Sequence, residues 1–378
     1  MAALSNSTDA KKITLLTIDG GGIRALIPAV ILSFLESQLQ DLDGEDARIA
    51  DYFDVIGGTS TGGLVAAMLT MPSGNNRPLY AAKEIVPFFF ENYPKIFHPL
   101  RGPFTSARMI LRDLVQHKYS GKYFHGLMQN KFGGLRISRA LTNLVIHTFD
   151  IKLLQPVVFS MSEGKIDISK DAMISDICTG TTATPTYLPP HYFETQDSQG
   201  SIIRTFNLVD GAALLAMSHV TQEVFKGNSE FYPVKPRNYG KFLVISLGTG
   251  TMKKNKKYNA DKAAKWGILG WLRRNGKSPI VDTFTQASAS MIDFHMHAVL
   301  QTLSSEHNYL RIQENELEGH AASLDITTKK NMENLVKIGE RLLRKPLDHG
   351  ETVGQALTRF AKTLSEERKA RQQRSTSK

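Results

Sequence analysis

Apolar residues along the chain follow two spacings, and the alternation between them divides it into elements. "ITLLTI" (13–18) is a short, β-branched apolar run and predicts a strand buried on both faces. After Gly20–Gly22, Ile27, Val30, Ile31, Phe34, Leu35 and Leu42 fall near one helical stripe. Pro28 sits in the first turn of that helix, and Asp43-Gly44 is its stop. Phe53, Val55 and Ile56 within "YFDVI" predict the next strand. The helix that follows, through Leu64 to Leu69, is apolar on every side and is expected to be buried. Residues 72–135 are rich in aromatics, Pro and Lys and predict helices and loops covering the core. "PVVFS" (156–160), "TFNLV" (205–209) and "KFLVISL" (241–247) predict further strands, and "TPTYLPPHYF" (184–193) a proline-stiffened connection. Residues 281–310 and 328–366 predict helices, the latter amphipathic. Strands alternating with helices predict an α/β fold, a mostly parallel central sheet sandwiched by helices. With no repeat or interior linker, residues 13–365 are expected to form one domain, between a disordered lead (1–12) and a basic, frayed tail (366–378).

Composition narrows the class. The chain has 378 residues, 41% of them apolar, enough for a packed core. The single cysteine, Cys178, excludes an intrachain disulfide and, lacking a metal-ligand motif, reads as a buried thiol. No apolar run approaches the ~18–20 residues of a membrane span. Ile13 to Ile18 is too short for a secretory signal, so a cytoplasmic protein is expected and the sequon at Asn6 is silent. The net charge of +10 is dispersed, with clusters at Lys253–Lys257, Arg273–Lys277 and Arg368–Lys378. No nucleic-acid motif accompanies them, so they read as solvated surface.

The chemistry concentrates where glycines follow strands. Gly58-Thr59-Ser60-Thr61-Gly62 matches G-x-S-x-G, which places a serine on a sharp strand-to-helix turn with its hydroxyl exposed. Gly58 and Gly62 flank it because a Cβ there would collide with the neighbouring strand or helix. Asp19-Gly20-Gly21-Gly22-Ile23-Arg24 brings backbone N–H groups together before a helix N-terminus, where negative charge is favoured. Such a turn can hold a phosphate or the oxyanion of an acyl intermediate. With Ala25 in the last position and Glu36 or Asp41 for a ribose, a dinucleotide fingerprint stays open, but it leaves Ser60 unexplained. Asp210, at the end of "TFNLV", can take the proton of Ser60 if burial raises its pKa; otherwise it is an Asp-Gly turn residue. For a Ser-His-Asp triad the candidates are His219, His295, His297, His307, His320 and His349, none in a distinctive turn. A fourth glycine turn, Leu247-Gly248-Thr249-Gly250-Thr251, reads as structural.

Together, "TIDGGGIRALIPAVIL", "ADYFDVIGGTSTGG", "TATPTYLPPHYF", "LVDGA" and "LVISLGTG" resemble the plant patatin-like phospholipases, from about Ile13 to about Leu364. The resemblance implies one patatin-like α/β domain and a serine lipid acyl hydrolase acting on phospholipids and galactolipids. It implies Ser60 as nucleophile, Asp210 as base, and Gly20, Gly21, Gly22 and Arg24 as the oxyanion-hole turn. No metal and no cofactor are expected. The chain departs from the family pattern at Ala25, where glycine is usual, and in a shortened segment after Asp210. The second departure favours an alternative, a storage or defence protein that keeps the fold with weak or no activity.

A lipid hydrolase is expected to touch membrane lipids peripherally. Trp266, Ile268, Leu269, Trp271 and Leu272 lie beside Lys257, Lys262, Lys265, Arg273, Arg274 and Lys277, a composition suited to a headgroup interface. Gly267, Gly270 and Gly276 weaken a helix there, so the preferred reading has both tryptophans in the core beneath a solvated cationic face.

Overall fold

Strand β1 (Ile13–Ile18) alternates its side chains between two apolar clusters. Leu16 and Ile18 join the main core, while Ile13 and Leu15 join a smaller cluster on the opposite face. That two-sided burial is why the run lacks a polar alternation. In the computed structural model, residues 12–98, 117–211, 242–253, 258–272, 308–347 and 350–376 are described, with isolated positions between 274 and 283. Among the described residues eight strands form one mixed sheet. Its parallel part runs β8 (Tyr309–Ile312), β7 (Phe242–Leu247), β1, β2 (Val55–Thr59) and β3 (Asn143–Asp150). Strands β4 (Gln155–Ser160) and β6 (Ile202–Asp210) are antiparallel to β3, and β5 (His191–Gln196) is antiparallel to β6.

Helix α1 (Leu26–Asp43) follows a 3-10 turn at Gly22–Ala25 and ends at Gly44, whose positive φ of 96° suits glycine. The apolar stretch Gly22–Asp43 is long enough to cross a membrane, but most of it is buried within the fold. Helix α2 (Ser60–Thr70) has all of its residues buried, as its unbroken apolarity predicts. Helices α3 (Ile85–Ile96), α4 (Lys122–Phe132), α5 (Met161–Ile166) and α6 (Ile174–Thr182) add to the main core, and Cys178 on α6 is fully buried.

Several expectations are corrected. β2 starts at Val55, not Tyr52, because Phe53 and Asp54 belong to the approach that anchors Thr14. β3 was not foreseen: His147 and Thr148 interrupt its apolar run, yet both are buried. β5 starts inside the proline-stiffened connection, and β8 claims Tyr309 and Leu310 from the expected helix 281–310, most of which lies outside the described residues. Residues 328–366 form two helices, α9 (Lys329–Leu343) and α10 (Val353–Thr376), separated around Pro346. Between β7 and β8, two short helices, α7 (Ala260–Ala263) and α8 (Ile268–Leu272), carry the tryptophan segment. Its tryptophans are not core: Trp271 is exposed with Ile268, Leu269 and Leu272, while Trp266 packs edge-on against Trp271 beneath Arg274.

The basic stretch expected to fray is instead the last turns of α10. Lys369 pairs with Asp43 at 2.8 Å, Arg371 with Asp54 at 3.0 Å, and Arg368 stacks over the Tyr52 ring. Burial alone would raise the Asp43 carboxyl, but bonds from Lys369, Tyr52 and Ser365 hold it below the usual range. These cations tie α10 to the end of the sheet where the central strands β1 and β2 begin. Removing residues 366–378 should therefore lower stability by about 1–2 kcal/mol, since both the carboxylates and their partners are partly solvated. Urea unfolding of the shortened chain measures this, and the deficit should shrink at a pH acid enough to protonate Asp43.

Candidate active site

The edge of β3 brings residues 60 and 210 together. β3 pairs with β4 over 145–150, with β2 over 143–147 and with β6 over 148–150. A strand has two edges, and β4 fills one, so β2 and β6 share the other. β2 reaches its end with Thr59 opposite His147; Asp210, the end of β6, lies opposite Thr148. The two strand ends thus meet head to head, about one 3.3 Å step apart along β3. The Asp210 carboxylate accepts a hydrogen bond from the Thr184 hydroxyl at 2.7 Å, and the Ser60 hydroxyl lies close enough to favour its charged form.

Ser60 turns the chain from β2 into α2 with φ of 52°, a left-handed conformation costing a non-glycine residue about 1–3 kcal/mol. Its N–H donates to the Thr181 hydroxyl at 2.8 Å, and that hydroxyl donates to the His147 carbonyl at 2.6 Å. Close packing also holds the turn. A Cβ on Gly58 would lie 2.5 Å from the Gly62 carbonyl, and one on Gly62 would lie 2.1 Å from the Ile18 carbonyl oxygen. Although Asp210 is partly accessible as a residue, protein encloses its carboxylate. That desolvation pushes its pKa up to about 6, against the opposing bonds from Thr184 and Ser60.

The first glycine turn lies against the serine: a Cβ on Gly20 would sit 2.7 Å from the Ser60 Cβ. Gly22 has φ of 58° and faces the Leu324 carbonyl, which accepts the Ile23 N–H at 2.8 Å. The expected oxyanion role is narrowed at two positions. The Gly21 N–H already donates to the Thr61 hydroxyl at 3.2 Å. The buried Arg24 guanidinium donates to the carbonyls of Gly21, at 3.3 Å, and Gly250, at 3.0 Å, so it braces the turn. Among the described residues the N–H groups of Gly20 and Gly22 meet no acceptor. The fourth glycine turn is the other half of this brace, with Thr249 donating to the Gly20 carbonyl at 2.7 Å. At the head of the turn Asp19 pairs with Arg311 at 2.7 Å.

Other candidates fall away from this point. Glu36 is buried in α1 and accepts the N–H groups of Ile49 and Ala82, so it is committed to packing; Asp41 is at the exposed end of the helix. His320 is exposed, and the remaining triad candidates, His219, His295, His297, His307 and His349, lie outside the described residues. So does the shortened segment after Asp210 from Ala212 onward. Among the described residues no group of three or more His, Cys, Asp or Glu could hold a metal ion. Reading the sequence residue by residue missed Thr181, Thr184, Thr61 and Arg311. Thr61 and Thr184 carried a signal, as members of G-x-S-x-G and "TATPTYLPPHYF"; Thr181 and Arg311 carried none, because threonines and arginines act through contacts remote in sequence.

Comparisons with known proteins identify the family. Residues 16–219 match the family described as Patatin-like phospholipase. Patatin-like protein 2 of Arabidopsis thaliana is 51% identical over 390 residues, covering 98% of this chain and 96% of its own. Probable inactive patatin-3-Kuras 1 of Solanum tuberosum is 46% identical over 384 residues, covering 98% of both chains. The crystal structure of VipD from Legionella pneumophila overlaps 92% of this chain and 67% of its own at a TM-score of 0.35 and 10% identity. On its match to the family model and its full-length similarity to the plant relatives, the chain belongs to the patatin-like phospholipase family.

Proposed function

We propose that this protein is a serine lipid acyl hydrolase working through Ser60 and Asp210, with phospholipids and galactolipids as substrates. The observation that carries the reading is the meeting of the two strand ends on β3, which sets the Ser60 hydroxyl beside the enclosed Asp210 carboxylate. Asp210 removes the Ser60 proton as the oxygen attacks the ester carbonyl, and the electron pair of the C=O bond moves to its oxygen. The N–H groups of Gly20 and Gly22, which meet no acceptor among the described residues, suit that oxyanion together with the N-terminus of α2. Collapse of the intermediate expels the alcohol, which takes the proton from Asp210 and leaves an acyl-Ser60 ester. Water, deprotonated by Asp210, releases the fatty acid. A base near pKa 6 accepts a proton far better at neutral pH than an ordinary aspartate near 3.9, yet remains ionised. The protein works peripherally at a cytoplasmic membrane surface in this reading.

A second reading, a storage or defence protein with little catalysis, is favoured by the relative named as probable inactive patatin at 46% identity. Fluorophosphonate labelling separates the two: rapid labelling of the parent, abolished in Ser60→Ala, is expected for the hydrolase, and an unlabelled but folded parent selects the second.

The pH profile follows from Asp210. Activity needs the ionised carboxylate, so kcat/KM toward a chromogenic ester should climb with pH through a midpoint near 6. Thr184→Val removes a bond that favours the charged form, so the midpoint should move upward by about one pH unit. A midpoint that stays put in the folded variant would separate Thr184 from the base.

A further inference from the structure

The loop joining β3 to β4, Ile151–Leu154, breaks the usual rule for a turn. Ile151, Leu153 and Leu154 are 43%, 56% and 76% exposed, with Lys152 exposed among them. Leu154 adopts φ of 52°, a conformation that glycine or asparagine would take with less strain. The loop is nevertheless built firmly. Buried Asp150 accepts the N–H groups of Lys152, at 2.8 Å, and Leu153, at 3.0 Å, and that of Asn207 on β6. Ile151 donates to the Asn207 carbonyl at 2.9 Å. Exposed aliphatics held on a rigid, strained turn are costly to the free protein, so a function is indicated.

Position supplies the function. Asp150 lies two residues beyond Thr148, the residue opposite Asp210, so the loop projects about 10 Å past the Ser60 and Asp210 contact on the same edge of the sheet. Farther along β6, past its pairing with β3, lie two more exposed aliphatics, Ile202 and Ile203. Three side chains on a four-residue projection are too little for a stable protein interface, which needs about 800 Å² from each partner. They suit a bilayer, which a narrow apolar point with a basic residue can enter at the headgroup boundary.

We infer that the β3–β4 loop inserts into a phospholipid surface and holds the Ser60 site against it. The inference rests on the lipid hydrolase reading above. Its test uses the full chain carrying Ser60→Ala, so that the lipid survives, and flotation with equimolar phosphatidylcholine and phosphatidylglycerol vesicles. Leu153→Ser combined with Leu154→Ser should weaken vesicle binding about tenfold or more while the same pair on intact Ser60 keeps its rate on a soluble ester. Leu154→Gly should raise the melting temperature and still weaken binding, which a purely structural residue would not do. The proposal is overturned if these folded variants float as the parent does, if the parent does not float, or if only Trp266→Ala with Trp271→Ala abolishes flotation. The hydrolase reading fails separately, if the Ser60 protein leaves the soluble ester intact.

Discussion

Everything at the candidate site depends on a shared edge. β3 is longer than β2, and where β2 turns away at Ser60 the rest of that edge is taken by β6 arriving from the opposite direction. Main-chain pairing, rather than any side-chain attraction, sets the spacing between residues 60 and 210, which lie far apart in the polymer. The cost is borne at Ser60, whose left-handed backbone is the sharpest way out of a strand whose continuation is blocked. The bond from the Ser60 N–H to the Thr181 hydroxyl and that from the Thr184 hydroxyl to Asp210 then fix the two ends.

A second layer of cross-links supports the glycine turn. Thr249 and Arg24 lock it to the turn after β7, and Leu324 receives the Ile23 N–H. Leu324 is flanked by buried Asp325, which accepts from Tyr119 at 2.8 Å and pairs with Lys118. The N–H groups of Lys118 and Tyr119 in turn donate to Thr186 and Tyr187, a short way along the chain from Thr184. The turn that lies against Ser60 and the threonine that holds Asp210 are thus joined through one carboxylate hub.

Local patterns made part of this legible. Strand β1, helix α1 and its glycine stop, and the buried α2 follow from apolar spacing, because each is stabilised by its own face. The G-x-S-x-G turn and the glycine-rich turn were readable because few residue types tolerate such close approach. β3 was not readable: its buried His147 and Thr148 break the apolar run, and their burial depends on neighbours on both edges. The helical end of α10 was missed for a similar reason, since its charges look solvated until Asp43 and Asp54 are placed beneath them. The motif position of Arg24 points to the oxyanion, but its guanidinium turns to Gly250, a partner remote in sequence.

Cys178 carries one more consequence. It is the chain's sole sulfhydryl, it is fully enclosed, and burial pushes its pKa up, so both access and ionisation suppress its reactivity. It lies one turn from Thr181 on α6, the residue that steadies the serine elbow. Alkylation kinetics at this atom would therefore act as a built-in gauge of how often the layer behind the nucleophile loosens, with no engineered label required.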